Sequence, residues 1–323
     1  MTIPPCRFSI AASDAPIELL PRDLSAYREG NCGVDYVHCL DSGIPGPSIT
    51  VVALNHGNEL CGANALCYLL DNGIMPVKGD LTLVFANIEA YQTFDPQRPF
   101  ASRCQQEDMN RLWNASRLIR PDSPDCQRAA EIEAFIANAD HLLDLHSTTH
   151  PVCPMLIYPD TQTNHDFGNA LEYPFPKLYY RPEVYHNGLL INYHQQLHPD
   201  AISVVAECGQ HFSKAATAQA ISTTLRFIRQ FDMLDPALEL PEYGYDNSPH
   251  AGEYRIHQVL NATSDHFSFT DSVLGFERYG QGQTFAHDAG NDLQAPFDNC
   301  TLIMPARVPV MDEEAVTLAE FVA

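Results

Sequence analysis

The chain has few basic residues and no long apolar run. Among its 323 residues, 18 are Lys or Arg and 41 are Asp or Glu, which gives a net charge of −23. Nucleic acids and anionic membrane surfaces need a basic footprint on their protein partners, so this balance argues against both. No run approaches eighteen apolar residues, and residues 1–30 lack a basic segment followed by an apolar stretch. We therefore expect no membrane span and no signal peptide.

Paired cysteines are also missing. The ten cysteines are scattered, none forms a CxxC pair, and several, such as Cys61 and Cys67, fall within apolar segments. This pattern is typical of small buried thiols in a reducing compartment and not of a disulfide framework. We therefore expect a cytoplasmic protein. The apolar fraction of 45% is sufficient for a sizeable core.

Strand-like and helix-like segments alternate along the first 240 residues. Short apolar runs predict buried strands at 48–54, 81–86, 141–145, 155–158 and 202–206, and helical spacing predicts helices at 59–71, 127–139 and 213–231. Such alternation predicts an α/β fold with a mixed central sheet flanked by helices. Further on, short runs between turn residues predict strands at 254–259, 275–279, 284–287 and 301–304. We therefore predict an α/β domain over 1–240 and a small β-rich C-terminal domain over 241–323.

A possible metal site lies at the ends of two predicted strands. Residues Asn55 to Glu59 (NHGNE) follow the first strand, and Asp144-Leu145-His146 ends another. His56, Glu59 and His146 supply two imidazoles and one carboxylate, the number of protein ligands that a catalytic zinc takes when its fourth position is open to water. Asp144 lies on the same strand face as His146, and a carboxylate there can orient the imidazole through a hydrogen bond.

The bare H-x-x-E pattern is weak evidence by itself. With fourteen histidines in the chain, roughly one chance match is expected. The run from His250 to Glu253 is such a match, and it lies in a segment rich in Pro, Gly and Asn with no strand before it. We therefore favour a structural role for that copy. His56 and Glu59 follow a buried strand, where α/β sheets bind their ligands.

Glu207 is the best candidate for a proton shuttle. It is a lone carboxylate at the end of the strand at 202–206, and Gly209 follows it closely. Hydrolysis by a metal-activated water needs such a group to move protons. The alternative is a strand-end carboxylate that faces solvent or pairs with an arginine.

Three polar residues stand out in the long irregular stretch 87–125. These are Arg103, Asn110 and Arg111. Guanidinium groups bind carboxylates in a bidentate manner and stabilise a developing oxyanion. Near a metal they would form a local positive site within an acidic protein. The alternative is that the arginines lie on the surface and pair with Glu107 or Asp108.

These segments together resemble the succinylglutamate desuccinylase/aspartoacylase family, a branch of the zinc carboxypeptidase-like hydrolases. The resemblance covers roughly residues 45–235 and continues weakly through 280–305. The matching segments, in the family's order and spacing, are His56 to Glu59 (HGNE), Arg103 with Asn110-Arg111 seven residues later, Asp144 to Thr149 (DLHSTT), and Glu207 to Gly209 (ECG).

The resemblance implies a zinc carboxypeptidase-like fold and one Zn²⁺ ion per chain, held by His56, Glu59 and His146. It implies that Glu207 is the general base that deprotonates the metal-bound water and later protonates the leaving amine. Arg103 matches the residue that polarises the scissile carbonyl together with the zinc.

For the substrate, the resemblance implies a small anionic N-acyl amino acid that is hydrolysed to a carboxylate and a free amino acid. Asn110 and Arg111 match the pair that holds a substrate carboxylate. A homodimer is compatible with the family.

The sequence departs from the aspartoacylase pattern in one respect that concerns the substrate. Aspartoacylases carry a further arginine about ten residues before the catalytic glutamate, where this chain has Leu197. His194, His198 and Arg181 are candidates to replace it. The substrate-contacting tyrosine of the family's C-terminal domain also has no evident match in this chain.

Three alternatives remain open at this point. A zinc carboxypeptidase that acts on short peptides shares the metal chemistry but needs an open cleft. An oxygenase with a 2-His-1-carboxylate iron site fits the ligand count, although such sites usually have one residue between His and the acid. A non-catalytic binding protein that has kept the fold is the third alternative, and the presence of every catalytic residue type argues against it.

Overall fold

Residues 16–185 and 188–323, the part of the chain that the computed structural model describes, form a mixed sheet flanked by helices. The strands, from β1 to β14, are Val37–Asp41, Ser48–Ala53, Asp80–Phe85, His141–Thr148, Met155–Pro159, Pro176–Tyr180, Ser203–Gln210, Gly252–Asn261, Ser268–Phe269, Arg278–Tyr279, Thr284–Asp288, Asn291–Gln294, Cys300–Ile303 and Glu314–Phe321. The helices, from α1 to α7, are Leu60–Asp71, Ile88–Gln92, Ala115–Leu118, Pro124–Ala137, Gln162–Ala170, Leu190–Leu197 and Lys214–Arg229.

The main sheet has eleven strands within these ranges, in the order β1-β3-β2-β4-β7-β5-β6-β8-β14-β13-β10. Strands β3, β2, β4 and β7 pair in parallel, whereas β5 is antiparallel to β7. Helices cover both faces. Alternate residues of β2 separate accordingly, since Val51 packs in the cluster of α1 and α7, and Val52 in the cluster of α4 and α6. The predicted fold class, an α/β protein with a mixed central sheet, is confirmed.

The C-terminal strands continue this sheet. β8 pairs in parallel with β6, and β14, β13 and β10 follow at the same edge. A smaller sheet, in the order β12-β11-β9, packs with them around a separate apolar cluster that includes Phe267, Phe285 and Leu302. The division at residue 240 into two domains stays a prediction.

Parallel pairing brings the ends of β2, β4 and β7 to one edge of the sheet. The register places Ala53 beside Leu145, and His146 beside Glu207. The polar residues that follow β2 and end β4 and β7 therefore meet there, although they lie far apart in the sequence. The chain leaves β2 through Leu54, whose φ is +63°.

The irregular stretch before α4 is fixed by one buried carboxylate. Asp125, in the first turn of α4, accepts hydrogen bonds from the backbone N–H groups of residues 105–107 at 2.7–3.0 Å. It also accepts one from the Asn87 side chain at 2.7 Å. A loop with so little regular structure needs such partners for its backbone groups. These hydrogen bonds anchor the backbone between Arg103 and Asp108.

No helix in the described ranges is long and apolar enough to cross a membrane. Eight cysteines in the same ranges are free thiols. Cys61 and Cys67 belong to this group, and both are buried, as expected. Cys104 is disulfide-bonded, which differs from the expectation of thiols throughout.

His194 gives the fold a dependence on pH. Its buried ring is fixed by Ser203 Oγ, 2.7 Å from Nδ1, and by the Ala139 carbonyl, 2.9 Å from Nε2. Burial lowers the pKa of His194 to about 4. The unfolded chain therefore binds a proton at a higher pH than the folded chain, and the free energy of unfolding falls as the pH drops from about 6.5 to about 4, by at most roughly 3 kcal/mol.

We expect the His194→Gln variant to lose part of this pH dependence. Urea unfolding between pH 7 and pH 4 measures it, with His287→Gln as the control because His287 is half exposed. An unchanged slope in His194→Gln would show that His194 does not carry the effect.

Candidate active site

Three predicted ligands converge at the sheet edge. His56, Glu59 and His146 each present one ligand atom, and these atoms lie within 4.8 Å of one another. His56 Nδ1 lies 2.9 Å from Glu59 Oε1, and His146 Nδ1 lies 2.9 Å from Glu59 Oε2. All three residues are at least 96% buried, with exposures of 4%, 2% and 3%.

This set fits a zinc ion. Two imidazole nitrogens and a carboxylate are ligands that zinc accepts, and donors on a tetrahedral zinc lie roughly 3.3 Å apart. One oxygen of Glu59 lies 2.9 Å from Nδ1 of His56 and the other lies 2.9 Å from Nδ1 of His146, so the three donors converge closely enough to share one cation. The Glu59 carboxylate also leaves the start of α1 uncapped, since its side chain makes no capping hydrogen bond.

Each histidine of the set is held by a second carboxylate. His146 Nε2 lies 2.7 Å from Asp144 Oδ2, and His56 Nε2 lies 2.9 Å from Asp108 Oδ1. Such contacts fix the ring orientation of a metal-binding histidine. The Asn55 side chain donates to Asp144 at 3.1 Å. This role was expected of Asp144, whereas Asp108 was expected only as a possible partner of an arginine.

The carboxylates and imidazoles of this set stabilise each other's charged forms. Burial opposes the charged form of His146, but Asp144 and Glu59 hold the pKa of His146 well above its ordinary value. Burial likewise opposes the charged form of Glu59, but His146 and His56 hold the pKa of Glu59 well below its ordinary value. A bound cation would displace the extra proton of a charged imidazole, since imidazole binds metals in its neutral form.

Gly57 joins the metal-binding loop to the arginine-bearing loop. Its backbone N–H donates to the Arg103 carbonyl at 2.9 Å. A Cβ atom on Gly57 would lie 2.5 Å from both Ser102 O and Tyr91 N. A side chain does not fit in this gap, so glycine is required where the two loops meet.

Glu207 faces the metal-binding set from the neighbouring strand. It pairs in register with His146, and its Oε2 is buried without a hydrogen-bond partner in the described part of the chain. Burial raises the pKa of Glu207 to about 8, although the charges of His146 and Arg103 oppose the rise. A carboxyl with a pKa near neutrality is suited to accept and return a proton.

Arg103 lies between the metal-binding set and Asp108. Its guanidinium contacts Asp108 Oδ2 at 2.9 Å and lies 3.8 Å from Glu59 Oε1. The sequence left two expectations for Arg103, a role at the site or a pairing with Asp108. The structure meets both, because Arg103 pairs with Asp108 and also lines the cavity beside the metal-binding set. Asn110 Oδ1 accepts from the Leu190 N–H at 2.9 Å, which fixes the amide at the cavity wall.

A cavity of about 960 Å³ opens onto these residues. Arg103, Asn110, Arg111 and Glu207 line it together with the metal-binding set. The segment 304–308 between β13 and β14 also lines it. Both the α/β part and the C-terminal part of the chain therefore line one cavity.

The candidates to replace the missing arginine do not line this cavity. His194 and His198 hydrogen-bond to backbone carbonyls of residues 139 and 137, and Arg181 lies 3.7 Å from Asp160. Arg307 and Tyr185 are among the cavity-lining residues that the sequence did not single out. Neither belongs to a motif with fixed spacing, so no pattern identified them.

The second H-x-x-E copy lies outside the cavity. His250 stacks on Phe276 with ring centroids 4.9 Å apart, and Glu253 pairs with Lys177 at 3.2 Å. Both contacts are structural, as expected from the loop-like sequence around them.

The sequence carries a family signature over this site. Residues 45–232 match the model of the succinylglutamate desuccinylase/aspartoacylase catalytic domain. The chain belongs to this family. Membership supports an enzyme that removes the acyl group from an N-acyl amino acid.

Individual relatives agree with this assignment. Succinylglutamate desuccinylase from Pseudoalteromonas atlantica is 22% identical to this chain, in an alignment that covers 81% of this chain and 77% of that protein. The structure of succinylglutamate desuccinylase from Chromobacterium violaceum superposes with a TM-score of 0.64 at 20% identity, covering 90% of this chain and 89% of that one. A succinylglutamate desuccinylase/aspartoacylase from Rhodobacter sphaeroides gives 0.64 at 14% identity, with coverage of 97% and 99%. At these identities the structures establish a shared fold.

Proposed function

We propose that this chain is a zinc-dependent amidohydrolase that cleaves the amide bond of an N-acyl amino acid, with Glu207 as the general base. The observation that carries the proposal is the convergence of His56, Glu59 and His146, with Glu207 beside His146 in the strand register. Zinc held by the three ligands would acidify a coordinated water and polarise the scissile carbonyl. One ion per chain follows from the one such set found in the described residues.

Glu207 moves the proton in this scheme. Its carboxylate accepts a proton from the attacking water as the new carbon–oxygen bond forms. It then gives that proton to the amide nitrogen, so that the carbon–nitrogen bond breaks. The new carboxylic acid loses its proton to the amine, and a carboxylate and an ammonium group are released. The unpartnered Glu207 Oε2 supports this role because no other described residue competes for it.

Arg103 stabilises the negative charge that develops on the carbonyl oxygen. Its partner Asp108 holds the guanidinium in place through the contact at 2.9 Å. A donor that is already oriented before the reaction stabilises the transition state without reorganisation.

Asn110 and Arg111 hold the carboxylate of the amino-acid half. Arg111 is exposed at the cavity wall and has no ion-pair partner among residues 16–185 and 188–323. Arg307 reaches the same cavity and is likewise without an ion-pair partner there. We propose that Arg307 binds a second carboxylate of the substrate. Aspartoacylases carry a further arginine for this purpose, at the position where this chain has Leu197. The substrate is then a small anion bound inside an acidic protein.

A panel of N-acetyl, N-succinyl and N-formyl amino acids, with and without a chelator, tests the proposed function. We expect hydrolysis of at least one of these compounds, lost with the chelator and restored by zinc.

A tripeptide in the same panel tests the carboxypeptidase alternative, which the wall formed by residues 304–308 disfavours. Faster hydrolysis of the tripeptide, or hydrolysis that survives metal removal, would contradict the proposal. A cytoplasmic location and a homodimer remain predictions from the sequence.

A further inference from the structure

His211 is a buried histidine beside the metal-binding set that the proposed mechanism does not use. It follows β7 directly, four residues after Glu207, and lines the cavity with an exposure of 2%. Its backbone N–H donates to the Thr148 carbonyl at 3.0 Å, and its ring Nδ1 lies 2.8 Å from Ser147 Oγ. Its Nε2 is buried and has no hydrogen-bond partner in the described ranges.

The pairing with Ser147 determines which nitrogen carries the hydrogen. If Nδ1 carried it, the Ser147 hydroxyl would accept, and both the Ser147 O–H and the Nε2 lone pair would lack partners among the described residues. If the Ser147 hydroxyl donates to Nδ1, only one group, the Nε2–H, lacks a partner. Buried polar groups are nearly always satisfied, so the second arrangement is favoured. His211 therefore presents an N–H donor.

The surroundings place this donor near the metal-binding set. The charges that act most strongly on His211 are those of Glu59, Arg103, His56 and His146. Phe100 and Phe212 flank the ring, with centroids 6.0 and 5.7 Å away. The ion-pair partners of Glu59 in the described residues are His56, Arg103 and His146, so His211 does not serve as a further support of the ligand.

The imidazole of His211 is neutral. Burial lowers the pKa of His211 to about 3. A neutral imidazole with its hydrogen on Nε2 can donate a hydrogen bond at working pH but cannot act as a general acid. A fixed neutral donor of this kind stabilises a carbonyl oxygen that gains negative charge.

We propose that His211 is a catalytic residue whose Nε2–H donates a hydrogen bond to the oxygen of the scissile carbonyl, beside Arg103. The identity of the substrate rests on the proposed function. The buried N–H without a partner is explained because the substrate supplies the acceptor. Ser147 is the positioning residue that holds the imidazole in the donating tautomer.

The test compares zinc-loaded His211→Leu with His194→Leu. Both positions are buried histidines, but both ring nitrogens of His194 are hydrogen-bonded, and His194 lies outside the cavity. We expect His211→Leu to lower kcat about 100-fold, for N-acetyl and N-succinyl substrates alike, with one zinc retained. Its Tm should stay the same or rise, because an unpartnered donor is removed. His194→Leu should lower Tm and keep kcat at temperatures where it is folded.

Two further variants refine the test. His211→Gln keeps an N–H donor and should recover part of kcat. Ser147→Ala should lower kcat because the tautomer of His211 is no longer fixed. This loss should be smaller than that of His211→Leu, since the imidazole is still present. Wild-type kcat in His211→Leu, a loss of zinc, or a fall in Tm equal to that of His194→Leu would overturn the proposal. A loss confined to N-succinyl substrates would also overturn it, since His211 would then contact the distal carboxylate. If the wild-type enzyme cleaves no N-acyl amino acid, the proposed function fails, and the Tm comparison still decides whether His211 is only structural.

Discussion

Glu207→Gln should lower kcat by about 10²- to 10⁴-fold, the usual contribution of a general base, while the protein retains one zinc ion. Glutamine has nearly the same shape as glutamate, but its amide does not accept a proton at working pH. The metal ligands are unaffected because Glu207 lies on β7, beside the set and not within it. Steady-state kinetics together with metal analysis of the same preparation measure both quantities.

Glu253→Gln is the matched control for this variant. Glu253 pairs with Lys177 outside the cavity, so its kcat should equal that of the wild-type enzyme. The Glu207→Gln variant should also unfold at the same temperature as the wild type or a higher one, since a buried carboxyl without a partner is replaced by a neutral group. Near-normal kcat in zinc-replete Glu207→Gln would remove Glu207 from the mechanism.

His56→Asn should weaken zinc binding and abolish most activity at limiting zinc. A zinc ion held by protein ligands contributes about 10–16 kcal/mol, so one ligand of three accounts for about 3–5 kcal/mol, or roughly 10²–10⁴-fold in Kd. Asparagine removes the imidazole and its contacts with Asp108 and Glu59. Competition with a chelating dye measures the Kd directly.

The chain supplies the control for this variant in its second H-x-x-E copy. His250→Asn changes the same residue type in the same local pattern, but His250 stacks on Phe276 outside the cavity. Its zinc affinity and kcat should match the wild type. Equal effects of the two substitutions would show that His56 is not a metal ligand.

The sequence predicted the ligand set because strand ends are visible as a change from apolar to polar residues. β2 is short, apolar and rich in β-branched residues, and β4 contains the apolar run Leu142-Leu143 before its polar end. His56 lies three residues beyond β2, and His146 is the third residue from the end of β4. Since parallel strands present their carboxyl ends at one edge, proximity follows from topology. Asp108 could not be found in this way. It reaches His56 through a loop whose position depends on Asp125, and no local spacing encodes such a contact.

Other misses have local causes. α4 was predicted to begin at residue 127 but begins at Pro124, because Ser123 caps it by accepting from the Cys126 N–H and proline suits the first helical position. The strand predicted over 275–279 shortens to Arg278–Tyr279, since Phe276 has a φ of +71°. β14 was not predicted at all. Residues 315–319 of β14 are all buried, so the strand lacks the alternation of apolar and polar residues that marks a sheet with one exposed face.

The cavity wall was beyond the reach of sequence patterns for a different reason. His211 is a single histidine after a strand, and Arg307 lies on a connection between two C-terminal strands. His211 reaches the site because β7 pairs with β4. Arg307 reaches it because β8, β14 and β13 extend the central sheet, so that residues 304–308 line the same cavity as the metal-binding set. The order of strands in the sheet determines which segments line the cavity, and the local spacing of residues does not predict that order.

Zinc titration of the metal-free enzyme tests the central claim most directly. The rate of hydrolysis of the best N-acyl amino acid should rise linearly with added zinc, stop at one equivalent per chain, and stay at the background level in His56→Asn under the same limiting zinc. A rate that does not depend on zinc, or one that saturates at a different stoichiometry, would contradict the assignment of His56, Glu59 and His146 as the catalytic metal site.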